Sequence, residues 1–147
     1  MPKLLEYCKN GGNLIVQYNT AHRLKTKEFG PFPIELSRDR VTEEDAEVSF
    51  LLPNHPVLNK PNKITKADFA NWVQERGLYF PYKWNDKYEA ILSWQDAGEE
   101  PKSGSLLVAK YGKGNYVYTG ISFFRELPAG VPGAYRLLVN ILSLGNE

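Results

Sequence analysis

The sequence predicts an α/β fold with an antiparallel extension, and three stretches carry that prediction. Near the start, residues 4–9 have the apolar spacing of a short amphipathic helix end, Asn10-Gly11-Gly12 is a stop, and Asn13-Leu14-Ile15-Val16-Gln17-Tyr18 is an apolar run of strand length. Asparagine and glycine tolerate positive φ and end helices in left-handed caps. The run that follows suits an interior strand of a largely parallel sheet. Later, residues 105–111 and 115–121 are joined by Gly112-Lys113-Gly114, the spacing of a β-hairpin whose glycines supply positive φ. At the end, Pro132 opens a helix at a position proline tolerates, Ala134, Leu137, Leu138, Ile141 and Leu142 form its apolar stripe, and Gly145 closes it.

Between these stretches the pattern is less regular. Residues 19–33 form a polar loop ending in Gly30-Pro31-Phe32-Pro33, whose prolines remove donors and exclude a central strand. Ile34-Glu35-Leu36-Ser37 alternates as a short strand, with the charged cluster Arg38-Asp39-Arg40 behind it. Thr42 with Asp45 three positions on is a variant of the capping box and predicts one helical turn. Residues 47–52 form a second extended run closed by Pro53, and turn formers fill 53–56 and 59–62. Thr65 is placed as an N-cap with Asp68 at the third helical position, while Phe69, Trp72 and Val73 mark one face, predicting a helix that Gly77 ends. An aromatic stretch broken by Pro81, a strand over 88–94 and a loop over 96–104 lead into the hairpin. A helix feeding a strand normally packs against an earlier strand, and none precedes Leu4. Residues 1–147 therefore read as a single, N-terminally truncated α/β domain with an open sheet edge on the 14–18 side, where self-association or docking is expected.

With 147 residues, 42% of them hydrophobic and 24% charged, the chain fits one ordinary domain with a real core. A net charge of +1 argues against an electrostatic nucleic-acid binder. The single cysteine, Cys8, excludes an internal disulfide framework. It sits on a helix before a strand rather than on a strand-to-helix elbow, which reads as a small buried hydrophobe. No apolar stretch approaches the ~18–20 residues of a membrane span and no signal peptide is evident, so a soluble chain of unspecified compartment is expected.

Catalytic signatures are sparse. His22 and His55 are far apart and lack a ligand motif, so no metal site is expected. Gly112-Lys113-Gly114 sits inside a hairpin rather than before a helix, which fits a turn and not a phosphate loop. No cofactor motif appears. The polar residues worth following are Arg125 and Glu126, where the last strand ends, and Asn19, Thr20 and His22 after the first strand. Ligands of open α/β sheets gather outside the carboxyl ends of strands. These groups could share one crevice with Arg38, Asp39 and Arg40, either as a small polar-ligand site or as an ion-pair network that pins loops. Trp72, Tyr79, Phe80, Tyr82, Trp84, Tyr88 and Trp94 offer either core or a platform for sugar rings.

Four segments carry a family resemblance: residues 7–20 (YCKNGGNLIVQYNT), 37–45 (SRDRVTEED), 72–80 (WVQERGLYF) and 112–137 (GKGNYVYTGISFFRELPAGVPGAYRL). Together they resemble the C-terminal region of large bacterial proteins of the PIG-L (LmbE-like) deacetylase family. That region is similar to a class I glutamine amidotransferase-like domain, a flavodoxin-like three-layer α/β sandwich. The resemblance implies further β-α units before the Gly-Gly segment and a zinc-dependent deacetylase domain elsewhere. The His-Pro-Asp-Asp and His-x-x-His motifs of that catalytic domain do not occur here, nor does an elbow cysteine with a matching histidine. The resemblance thus points to a non-catalytic accessory or ligand-binding domain, associated with an N-acetylglucosaminyl deacetylase-type protein and presenting a sugar-containing ligand. The alternatives are a small-molecule hydrolase or transferase using the polar crevice, and a carbohydrate-binding module.

Overall fold

The structure is a computed structural model and describes residues 1–21 and 28–146. Helix α1 (Pro2–Lys9) has proline in its first turn, and Asn10 and Gly11 end it by donating their N–H groups to the Glu6 and Cys8 carbonyls. Strand β1 (Asn13–Gln17) follows. Next come β2 (Ile34–Val41), β3 (Val48–Phe50), 3-10 turns at Pro56–Leu58 and Lys66–Phe69, β4 (Gly77–Trp84), β5 (Glu89–Ala90) and β6 (Leu92–Trp94). The hairpin β7 (Leu106–Tyr111) and β8 (Gly114–Thr119) leads to a one-turn helix α2 (Phe123–Glu126) and to α3 (Pro132–Leu142).

The main sheet has the order β1-β8-β7-β5. β1 runs parallel to β8 with Asn13 beside Asn115 and Gln17 beside Thr119, and the other two pairs are antiparallel. Two small antiparallel ribbons, β2-β4 and β3-β6, flank it. Strand alternation divides the sheet between two cores. Leu106, Val108 and Val117 join Ala134, Leu137 and Ile141 of α3 and the aromatic group Phe69, Trp72, Phe80 and Trp94. Leu107, Ala109, Tyr116 and Tyr118 join Cys8 of α1 and Leu14 of β1. Helices thus lie on both faces of a mixed sheet, which is the mixed α/β class the sequence predicts. α3 runs antiparallel to β1: the Asn13 amide donates to the Leu142 and Leu144 carbonyls at 3.2 and 2.6 Å, while Leu138 lies near Gln17.

Several local expectations are corrected. The helix expected from Thr65 to Gly77 stops after the 3-10 turn Lys66–Phe69, although Asp68 does accept the Thr65 N–H at 2.8 Å. Asn71 and Gln74 take φ of 62° and 66°, which no right-handed helix permits. Their segment is held by side chains instead: Val73 N–H donates to Glu126 and Gln74 N–H to Glu44, both at 2.5 Å. Gly77 opens a strand rather than closing a helix, pairing with Val41 of β2, and it is glycine that fits there because a Cβ would strike the Gly120 carbonyl. Residues 42–45 make a turn, not a helical one. The strand expected over 88–94 splits at Ile91, β5 pairing with β7 and β6 with β3. The strand expected over 34–37 runs on to Val41, carrying Arg38, Asp39 and Arg40 inside β2.

Candidate functional site

Because β1 and β8 are parallel, their carboxyl ends open on the same side, where β1 exits through Tyr18 and Asn19 and β8 through Ile121 and Ser122 into α2. The segment 73–76 is stapled across this end: Ser122 N–H donates to the Arg76 carbonyl at 3.0 Å and its hydroxyl to the Glu75 carbonyl at 2.8 Å. Glu75 becomes the hub. Its Oε1 accepts the Tyr18 hydroxyl at 2.8 Å and Arg125 Nε at 3.1 Å, and Arg125 Nη1 donates to Gln74 Oε1 at 2.6 Å. The Arg125 guanidinium lies 4.9 Å from the centre of the Phe124 ring. Tyr18 meets the edges of Phe124 and Tyr79 at 4.6 and 5.6 Å. Burial and the Glu75 carboxylate push the Tyr18 hydroxyl well above the usual tyrosine range, so it remains a donor.

Backbone strain concentrates at the same place. Among the described residues four non-glycine positions have positive φ, and three of them, Tyr18 at 51°, Gln74 at 66° and Tyr79 at 61°, supply side chains to this cluster. Such conformations cost on the order of 1–3 kcal/mol each and persist where the surroundings over-determine them, often at ligand sites. Beside the cluster lies a hollow of about 420 Å³ lined by Gln17, Tyr18, Phe123, Phe124, Leu127 and Leu138.

Behind the crevice sit two buried ionisable groups. Arg76 is 3% exposed, donates to the Phe69 and Ala46 carbonyls at 2.6 Å each, and lies 5.5–5.7 Å from the rings of Phe69, Trp72 and Trp94. Burial pulls its guanidinium down to about 10, still charged at neutral pH. Glu126 is fully buried. Burial raises its carboxyl above the usual range, outweighing the Val73 N–H bond and the Arg76 charge that pull it down, and its Oε2 has no hydrogen-bond partner.

The candidate residues from the sequence therefore divide. Arg125 is in the crevice. Asn19 borders it, half-buried, with its N–H on the Tyr118 hydroxyl at 3.3 Å. Glu126 faces inward, not into the crevice. Arg38, Asp39 and Arg40 lie on β2, and among the described residues no hydrogen bond or ion pair links them to Arg125 or Glu75. Asp39 N–H bonds Ser37 Oγ at 2.9 Å, and Arg40 acts on Asp96. Asp96 is a cap for the turn after β2: its oxygens take the N–H groups of Thr42 and Glu43 and the Thr42 hydroxyl at 2.8–3.0 Å. His22 lies outside the described residues. The sequence does not single out Glu75, Gln74 or Tyr18 as site residues, and offers Tyr79 only as one of the aromatics for core or a sugar platform. The stretch 72–80 carries three of them, but a helical reading of 65–77 hides where Gln74 and Glu75 point.

Other features fall elsewhere. A cleft of about 830 Å³ lies at the opposite end of β8, beside His55, Glu89, Lys110 and the Gly112–Gly114 turn. There His55 Nδ1 accepts the Val57 N–H at 3.1 Å and Nε2 is 3.6 Å from Glu89. We place the candidate site at the Tyr18–Arg125 end because charge, strain and strand ends coincide there. Among the described residues no group of His, Cys, Asp and Glu is arranged to hold a metal, and no helix is long and apolar enough to cross a membrane. Trp72 and Trp94 are 2% and 1% exposed, so neither presents a face to a sugar.

No protein-family model and no curated protein sequence matches the chain. Among solved structures, a cytoplasmic protein of Salmonella typhimurium, STM3548, matches 97% of the chain with a TM-score of 0.59 and 19% identity. That likeness is one of fold. The chain spans 58% of the length of the Salmonella protein.

Proposed function

We propose that the chain is an accessory, ligand-binding domain of the flavodoxin-like, class I amidotransferase-like type, working beside a PIG-L-type deacetylase and contacting another chain through the β1 edge. Helices on both faces of a sheet containing a parallel pair support the architecture. The observation that carries the binding reading is the Glu75 hub: one carboxylate oxygen holds both Tyr18 and Arg125, so the polar groups at the strand ends are committed to each other. A ligand entering here exchanges its own hydroxyls or carboxylate for these partners and lays its apolar face on Tyr18, Tyr79 and Phe124. Aromatic faces beside an arginine and amide groups suit a sugar-containing ligand.

Titration calorimetry with N-acetylglucosamine-containing oligosaccharides tests this. Saturable binding weakened at least tenfold by Arg125→Ala supports the reading. Turnover of glutamine or of a glycan amide by the purified chain, lost in Arg125→Ala, replaces it with the hydrolase alternative.

A further inference from the structure

Helix α3 is apolar on more than the face it buries. Ala134, Leu137 and Ile141 are buried, yet Tyr135, Val139 and Leu142 are 47%, 43% and 56% exposed and Leu138 is half-buried. At 3.6 residues per turn these four occupy about 100° of arc directly beside the buried arc. A helix apolar on that much of its surface is normally covered on both sides. The opposite flank is already engaged: Arg136 pairs with Asp68 at 2.8 Å, and Asn140 donates to the Val57 carbonyl at 2.9 Å and accepts from Asn62 N–H at 2.9 Å.

The surplus apolar flank points toward β1. Leu138 shares a hollow with Gln17 and Tyr18, and the Leu142 carbonyl accepts the Asn13 amide. β1 is the outermost strand of its sheet, paired only with β8 among the described residues. On the sheet's other face, α1 leaves Leu4 and Tyr7 49% and 57% exposed. The strand itself, Asn-Leu-Ile-Val-Gln, carries no charge and no proline, the devices that guard an edge. Tyr18 N–H donates to the Thr119 carbonyl, so by strand alternation Leu14 and Val16 also face β8, while Ile15 and Gln17 turn their N–H and C=O groups outward.

We infer that this edge binds a second copy of the chain, β1 against antiparallel β1, about a two-fold axis normal to the sheet; this rests on the reading of β1 as the contact edge and not on the crevice ligand. Such an axis keeps each face of the sheet on its own side, so α3 meets α3 and α1 meets α1. Like surfaces are then complementary: uncharged strand on uncharged strand, apolar flank on apolar flank. Tyr135, Val139, Leu142, Leu4 and Tyr7, each about half exposed, supply on the order of 100 Å² apiece. With the strand between them this approaches the roughly 800 Å² per partner of a stable interface.

Sedimentation equilibrium from micromolar to near-millimolar concentration tests the inference. The expected result is a reversible dimer, weakened at least tenfold by Val139→Glu with Leu142→Glu. Gln17→Pro, which deletes an outward N–H without touching the β8 ladder, gives the same weakening through the strand alone. The exposed positions leave protomer stability in urea unchanged, and Arg125→Ala dimerises as wild type even where it abolishes ligand binding. A monomer across the whole range, or a dimer indifferent to both variants, overturns the inference and leaves the edge to a different partner.

Discussion

Arg76→Met isolates the contribution of a buried cation to this fold. Methionine keeps much of the arginine stem but donates nothing, so the Phe69 and Ala46 carbonyls, in residues 3% and 4% exposed, lose partners at 2.6 Å. Each buried acceptor left unpaired costs about 1–3 kcal/mol. The contacts with Phe69, Trp72 and Trp94 lose their cationic component, worth about 1–2 kcal/mol in a desolvated setting. Against these losses, the variant no longer desolvates a guanidinium, a return of several kcal/mol if the charge were isolated. Glu126 offsets part of that penalty in the native protein, so the net expectation is a loss of about 2–4 kcal/mol. With an m-value of about 2 kcal/mol per molar urea, the midpoint falls by roughly 1–2 M. Equilibrium urea unfolding followed by tryptophan fluorescence reads this directly. A midpoint within about 0.3 M of wild type at equal m refutes the reasoning, because it means that the two carbonyls find other partners or that the desolvation cost cancels the bonds.

Two further outcomes follow from the same geometry. Burial alone would raise Asp96, but bonds from Glu43, Thr42 and the Thr42 hydroxyl, with the Arg40 charge, hold it below 3.8; its stabilisation is complete above that value and disappears as pH falls through the lower folded value. Asp96→Asn should therefore lower the melting temperature at neutral pH and flatten its decline below about pH 4, and parallel wild-type and variant curves would contradict this. Gly133→Ala should cost more than about 2 kcal/mol, because its Cβ would overlap the Asp68 carbonyl where α3 docks on the 3-10 turn. An unchanged urea midpoint would show that α3 slides away at no cost.

The parts of the fold that were legible are those written in local periodicity. The hairpin 106–119, the strand 13–17 and the helix 132–142 each carry their pattern within a few neighbouring residues. The stretch 70–76 was misread because its backbone donors are captured from far away, Val73 by Glu126 and Gln74 by Glu44. Propensity cannot register such partners, and Thr65 with Asp68 signals a helix start without saying how soon it stops. The crevice was half legible. Strand ends pointed to Asn19 and Arg125, but Glu75 joins Tyr18 from 57 positions away and Arg125 from 50, separations no motif records. Arg38, Asp39 and Arg40 looked like site residues because charges clustered, whereas β2 carries them along a separate ribbon.

The pairing of β1 with β8 also bears on how the chain is made. Asn13 and Asn115, bonded side by side at 3.1 Å, are 102 positions apart. At the usual pace of about 5–20 residues per second, β1 emerges roughly 5–20 s before its partner strand exists. During that interval both of its edges are open, and Leu14, Ile15 and Val16 are an apolar strand without a sheet. Synthesis therefore sets the order of assembly: α1 and β1 wait, the β7–β8 hairpin forms late and fast, and its arrival closes a loop of 102 positions before α3 closes one of 131 onto Asn13. A ribosome-bound chain stalled before residue 114 would be the species most in need of a chaperone.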